Sequence, residues 1–272
     1  MSYYVTDFNK IRQEKSILKI LQALVRGFEK FEIDFYLIGA VAREVWMLGL
    51  KDITPRRATS DIDFGADIIN MERFNDLKNY LINIEGFTAS KSNDYVLFAQ
   101  DGKQIDILPF GIMEKDGKVT VNGMKEVFTE AATDVTFEDK ITFKVCTLPG
   151  IVLLKLVAWD DRPEIRRDDL TDIADILNHF FKIYEEMIWE HHNDLFGEDK
   201  DLESISARVL GREMGKILKK NQDLKERILG ILTFDNSGKA EKIAEIFAVT
   251  LDKSLEDIHR RLNEIFCGIN EV

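Results

Sequence analysis

Two aspartates separated by one residue have the type and spacing for metal chemistry, in the stretch Asp61-Ile62-Asp63-Phe64-Gly65. Because side chains alternate along a strand, Asp61 and Asp63 are expected on one face and Ile62 and Phe64 on the other. Carboxylates on one face repel each other, and burying them is costly unless a cation neutralises them. Mg²⁺ does this because it prefers carboxylate and phosphate oxygens. The alternative interpretation is a polar strand edge that ends in a turn at Gly65.

A third aspartate, Asp106, stands inside an otherwise apolar segment that predicts a strand at residues 104–108. A single acid in such a strand is seldom buried without a partner or a metal. A predicted helix and a hairpin separate this strand from the one that carries Asp61 and Asp63. The three acids can therefore be neighbours in one sheet.

A possible phosphate site precedes these acids. Residues 35–38 predict a buried strand, Gly39-Ala40 closes it, and residues 41–48 predict the next helix. Backbone N–H groups at such a helix start bind phosphate, although a tight connection without a ligand has the same pattern. Arg43 lies one turn into this helix, from where its side chain is expected to reach back toward the turn.

The elements that must position these residues change in type at about residue 148. Before it, the patterns predict helices at 16–31 and 71–84 and strands at 61–64, 86–89, 95–99 and 141–146. After it they predict helices at 150–159, 163–181, 202–220, 224–232, 239–250 and 254–266. Pro163 suits a first helical turn and Ser254 an N-cap. We therefore expect an α+β protein with a mixed sheet flanked by helices in residues 1–148 and an all-helical domain in residues 149–272.

The composition is that of an acidic globular protein. The chain has 272 residues, with 49 acidic and 37 basic side chains and a net charge of −12, which disfavours non-specific nucleic-acid binding but leaves room for a local basic site. Cys146 and Cys267 lack metal-ligand spacing and predict reduced thiols, and the four histidines form no site. No signal peptide and no apolar run of about 18 residues is recognised, so we expect a cytoplasmic protein without a membrane partner.

The order of strand, Gly39-Ala40, helix, Asp61-x-Asp63 and lone Asp106 resembles the polymerase-beta-type nucleotidyltransferase superfamily. Within it, the chain is similar to AbiEii-type nucleotidyltransferases, the toxin half of type IV toxin–antitoxin systems. The matching segments are Ile38-Gly39-Ala40-Val41-Ala42-Arg43, Arg57-x-Thr59-x-Asp61-Ile62-Asp63, and a later segment in which Lys155, Arg162, Asp169 and Asp172 fit the family pattern.

This resemblance implies a two-metal enzyme that transfers a nucleoside monophosphate (NMP) from a nucleoside triphosphate (NTP), such as ATP, to an acceptor. The implied acceptor is tRNA, a protein side chain or a small molecule, and an antitoxin is an implied partner. Asp61, Asp63 and Asp106 would be the catalytic ligands of two Mg²⁺ ions, with Mn²⁺ as the alternative. The implied nucleotide-binding residues are Gly39, Ala40, Arg43, Arg57, Lys155 and Arg162, supported by Asp169 and Asp172.

Two departures from the family pattern leave a second function open. Ala40 stands where many members have a serine whose hydroxyl contacts a phosphate, and Asp168 stands where a basic residue is expected. Lys155 also suits an amphipathic helix from which its side chain extends to solvent, and Arg162 and Arg166 suit a solvated charge run in which they pair with Glu164, Asp168 or Asp169. The alternative function is a catalytically idle nucleotide- or partner-binding module with the same fold.

Overall fold

The computed structural model describes residues 4–6, 16–56, 61–111, 122–137, 141–197 and 200–272. The chain separates into two compact units, Met1–Thr147 and Leu148–Val272. The first is built around a mixed sheet with flanking helices and the second is helical, which confirms the predicted α+β class. Among the described helices, none combines the length and apolar character needed to span a bilayer.

In the part of the chain that the structure describes, the sheet of the first unit has eight strands in the order β1-β7-β8-β2-β3-β6-β5-β4. The strands are β1 Tyr4–Thr6, β2 Phe35–Ile38, β3 Ile62–Asp67, β4 Thr88–Ala89, β5 Val96–Phe98, β6 Gln104–Phe110, β7 Ala132–Phe137 and β8 Ile141–Cys146. In its centre, β3 runs antiparallel to β2 and parallel to β6. The predicted strand at 61–64 extends to Asp67 because β6 pairs with it along that whole length.

Within the described residues of this unit, four helices accompany the sheet: α1 Ser16–Lys30, α2 Gly39–Glu44, α3 Met71–Asn83 and α4 Met124–Glu130. Ile62, Phe64 and Ile105 are completely buried on one face of the sheet, where the ring of Phe28 from α1 lies 5.9 Å from that of Phe64. The opposite face carries the half-buried aspartates of β3 and β6. The predicted alternation is therefore confirmed for Ile62, Asp63 and Phe64, while Asp61 lies immediately before β3.

The structure moves several predicted helix starts, two of them for a clear physical reason, and adds one helix. The helix expected at 41–48 begins at Gly39, because only glycine readily turns the chain there, and it continues into a π-helical turn over Val45–Gly49. The Arg162 carbonyl accepts hydrogen bonds from the N–H groups of Ile165 and Arg166, so Pro163 lies in a turn. The helix begins after it, at Arg167. The short α4 was not predicted.

The second unit consists of α5 Leu148–Asp161, α6 Arg167–His191, α7 Leu202–Leu218, α8 Gln222–Leu232, α9 Lys239–Leu251 and α10 Leu255–Asn270, with a 3₁₀ turn at Asn193–Gly197. The predicted N-cap is confirmed, since Ser254 Oγ accepts from the Asp257 N–H at 3.1 Å. Glycines allow α7 and α10 to touch backbone to backbone. A Cβ at Gly268 would overlap the Arg208 carbonyl oxygen.

Gly268→Ala is expected to lower the free energy of unfolding by about 2 kcal/mol, because the added methyl group forces α7 and α10 apart. Urea denaturation measures this change. The control is Gly230→Ala on α8, where a Cβ meets nothing within 4 Å. That variant is expected to be more stable by up to about 1 kcal/mol, since alanine favours the helix. Equal effects of the two substitutions would contradict the close packing.

Candidate active site

Asp63 and Asp106 occupy paired positions on adjacent parallel strands. They are register partners between β3 and β6, and each is half-buried while its chain neighbours Ile62 and Ile105 are completely buried. Because paired residues of neighbouring strands project from the same face, both carboxylates belong to one surface of the sheet. The structure thus brings together two of the three predicted acids, from strands that are distant in sequence.

Asp61, the third predicted acid, immediately precedes β3 and is half-buried. Burial raises the pKa of Asp106 above its ordinary value, a hydrogen bond from Gln104 acts in the opposite direction, and the negative charge of Asp61 raises the pKa further. The three acids thus include an electrostatically coupled pair, Asp61 and Asp106, and a register pair, Asp63 and Asp106. Such a group of like charges favours proton uptake or cation binding.

Gly39 is in direct contact with this acid group. It has a φ of +67°, and the Asp63 Oδ2 occupies the place where a Cβ of residue 39 would lie. Its neighbour Ile38, the last residue of β2, is the register partner of Asp63. The Gly39-Ala40 turn therefore lies beside the carboxylate of Asp63, and only a residue without a side chain permits that approach.

The segment after this turn is fixed to the sheet. Trp46 Nε1 donates to the Cys146 carbonyl at 2.7 Å, which ties the π-helical turn to β8.

Arg43 on α2 is completely buried. Arg57, the other arginine predicted near the nucleotide, lies outside the described residues. The nucleotide-binding roles of these two arginines stay predictions.

Lys155, Asp169 and Asp172 of the second unit form an ion-pair cluster. Lys155 Nζ donates to Asp169 Oδ1 at 2.6 Å and to Asp172 Oδ2 at 2.9 Å, and all three side chains are largely buried. The two carboxylates compensate the charge of Lys155. Arg162 is exposed beside the turn between α5 and α6.

The predicted sites missed one polar side chain beside the acids. Gln104 Nε2 donates to Asp106 Oδ1 at 2.8 Å. The signal was present in the sequence, since Gln104 is two residues before Asp106 on a strand and therefore shares its face. The sequence does not show which side-chain rotamer Gln104 adopts, and this rotamer directs its amide along the strand toward Asp106.

The three acids have suitable ligand atoms for a divalent metal, but their side chains do not surround a common position. Carboxylate oxygens suit Mg²⁺ and Mn²⁺, and a cation would relieve the repulsion between Asp61 and Asp106. Within the described ranges, no three His, Cys, Asp or Glu side chains are arranged as ligands of one ion. Mg²⁺ is usually held by one or two carboxylates together with the phosphates of a substrate, so two of these acids suffice for one ion. The three-acid metal site stays a prediction.

Comparison with known proteins gives distant structural likenesses. No protein-family model matches the chain, and neither does any curated protein. The antibiotic-resistance factor ANT(2'')-Ia is similar with 12% identity and a TM-score of 0.36, over 65% of this chain and 98% of that one. A CCA-adding enzyme in complex with ATP is similar with 11% identity and a TM-score of 0.36, over 90% of this chain and 61% of that one.

Likenesses as distant as these assign neither a family nor an activity to the present chain. A proposal for its function therefore rests on the chemistry of its own site residues.

Proposed function

We propose that this chain is a metal-dependent nucleotidyltransferase that moves an NMP from an NTP to an acceptor. The observation that carries the proposal is the register pair Asp63 and Asp106, with Asp63 in contact with the Gly39-Ala40 turn. A pair of acids suits a cation, and a glycine turn suits a phosphate group, so their contact matches the two chemical needs of nucleotidyl transfer.

The acids have distinct roles in the proposed reaction. Asp61, Asp63 and Asp106 would hold two Mg²⁺ ions, or Mn²⁺ as the alternative, which supply positive charge for the triphosphate and the attacking oxygen. The acceptor oxygen forms a bond to the α-phosphorus while the bond to the leaving pyrophosphate breaks. Asp106 would accept the proton of an acceptor hydroxyl as the general base.

The turn would bind the nucleotide through its backbone. Residue 40 is alanine, so it offers an N–H donor and no hydroxyl to a phosphate. The contact between Gly39 and Asp63 keeps the turn close to the reacting phosphate that the acids would serve. Positive charge for the triphosphate is assigned, as a proposal from the family resemblance, to Arg43, Arg57, Lys155 and Arg162.

Lys155→Met is expected to raise the KM for NTP about tenfold, equivalent to about 1.4 kcal/mol of binding. Initial rates across NTP concentration measure this, with the folded fraction checked by circular dichroism. Lys182→Met on α6 is the control, because Lys182 is exposed and outside the ion-pair cluster. An unchanged KM in folded Lys155→Met would assign Lys155 a purely structural role with Asp169 and Asp172.

The activity is tested by label transfer. The protein is incubated with Mg²⁺, a cell extract and each α-³²P-labelled NTP in turn, and labelled products are then treated with ribonuclease or protease. Ribonuclease-sensitive label identifies tRNA or another RNA as acceptor, protease-sensitive label identifies protein, and resistant label identifies a small molecule. Transfer that persists in Asp61→Ala and Asp63→Ala would overturn the mechanism.

The second candidate is an idle nucleotide- or partner-binding module. Two observations favour it: residue 40 lacks the hydroxyl, and Lys155 is already paired with two acids. NTP binding by calorimetry without transfer from any labelled NTP would support this module against the enzyme.

The toxin role is a separate proposal that rests on the AbiEii-type motifs. Induced expression of the wild-type chain is then expected to arrest growth, and expression of Asp63→Ala to permit it. Growth arrest by both proteins to the same extent would separate toxicity from nucleotidyl transfer. An antitoxin partner would be found as a protein whose co-expression relieves the arrest.

A further inference from the structure

A hydrogen bond along β6 determines how the carboxylate of Asp106 is turned. Gln104 Nε2 donates to Asp106 Oδ1 at 2.8 Å, and both side chains are half-buried. Ile105 between them is completely buried on the other face. The donor is therefore provided by the same strand that carries the acid, and its position does not depend on a flexible loop.

We propose that Gln104 is a positioning residue that holds Asp106 Oδ1, so that Oδ2 is directed toward the metal and the acceptor hydroxyl. This inference rests on the proposed function. A carboxylate held by an outer hydrogen bond loses the freedom to rotate away from its ligand position. Removal of such outer partners typically costs about 10–100-fold in metal affinity or activity.

The chemistry of the amide suits this role. Gln104 donates without carrying a charge, so it orients Asp106 without competing with the cation for the carboxylate. A lysine or arginine at this position would form an ion pair with Asp106 and oppose metal binding. A cationic side chain at position 104 would also attract the carboxylate of Asp61. Ile62 pairs with Ile105, and this register places Asp61 and Gln104 at the same level of the two strands.

The test is Mn²⁺ binding, measured by electron paramagnetic resonance on the protein without nucleotide. Gln104→Met removes the donor at nearly constant size and is expected to raise the Kd for Mn²⁺ about tenfold. Gln104→Asn, which retains an amide N–H donor on a shorter side chain, is expected to recover part of the affinity. Gln100→Met is the matched control, because Gln100 is exposed in the β5–β6 hairpin and its amide lies against Gly86.

Each outcome separates this role from the proposed function. An unchanged Kd in Gln104→Met, with weaker binding in Asp106→Asn, would overturn the role of Gln104 and leave the metal site standing. Unchanged binding in both Asp63→Asn and Asp106→Asn would overturn the proposed function itself. Thermal unfolding verifies the fold of each variant. If Gln104→Met does not fold, Gln104→Ala removes the same donor without adding an apolar chain.

Discussion

Asp63→Asn is expected to reduce NMP transfer about a thousandfold or more, equivalent to about 4 kcal/mol of transition-state stabilisation. The amide keeps the size of the side chain but removes the negative charge that a metal ligand needs. Asp63 is the acid at the centre of the site, since it pairs in register with Asp106 and touches Gly39. Initial rates with the labelled NTP that serves as substrate measure the loss.

The matched control is Asp67→Asn on the same strand. Asp67 is the last residue of β3, where it pairs with Phe110 and its carboxylate lies against Gly111, away from Asp106. This variant is expected to retain the wild-type rate. Thermal unfolding of both variants shows whether lost activity reflects a lost fold. A similar loss in both would contradict a site centred on Asp63, and full activity in Asp63→Asn would overturn the mechanism.

Gly39→Ala is expected to lower the free energy of unfolding by about 3 kcal/mol and NMP transfer at least about tenfold. About 1–2 kcal/mol comes from placing alanine in the left-handed region, and a similar amount from the overlap between its Cβ and the Asp63 Oδ2. The carboxylate must move to make room, which displaces the proposed ligand. Urea denaturation and transfer rates measure the two effects.

Gly102→Ala separates backbone strain from steric overlap. Gly102 also has a positive φ, of +84°, but a Cβ at this position meets nothing within 4 Å. It is therefore expected to destabilise the protein by only the strain, about 1–2 kcal/mol, with no change in transfer. If Gly39→Ala and Gly102→Ala had the same unfolding free energy and the same transfer rate, the contact between Gly39 and Asp63 would contribute neither to stability nor to activity.

Local patterns in the sequence predict much of this fold because the forces behind them are local. Alternation along β3 and β6 and the helical periodicity of the second unit follow from burying apolar side chains on one face. The Ser254 cap also needs only residues within one turn. By contrast, α4 is short, and its start is held by a distant bond from the Tyr36 hydroxyl to the Met124 carbonyl at 2.9 Å, so no local pattern predicts it.

The residue types of the proposed site can be read from the chain: two acids one residue apart, a third acid in a later strand, and a glycine before a helix. Their arrangement emerges only from the folded protein, in which Asp63 is the register partner of Asp106, Gly39 touches Asp63, and Gln104 donates to Asp106. The fold also pairs Lys155 with Asp169 and Asp172. The physical reason is that strand register and charge pairing depend on hydrogen bonds and burial between distant segments, which side-chain spacing along one segment does not encode.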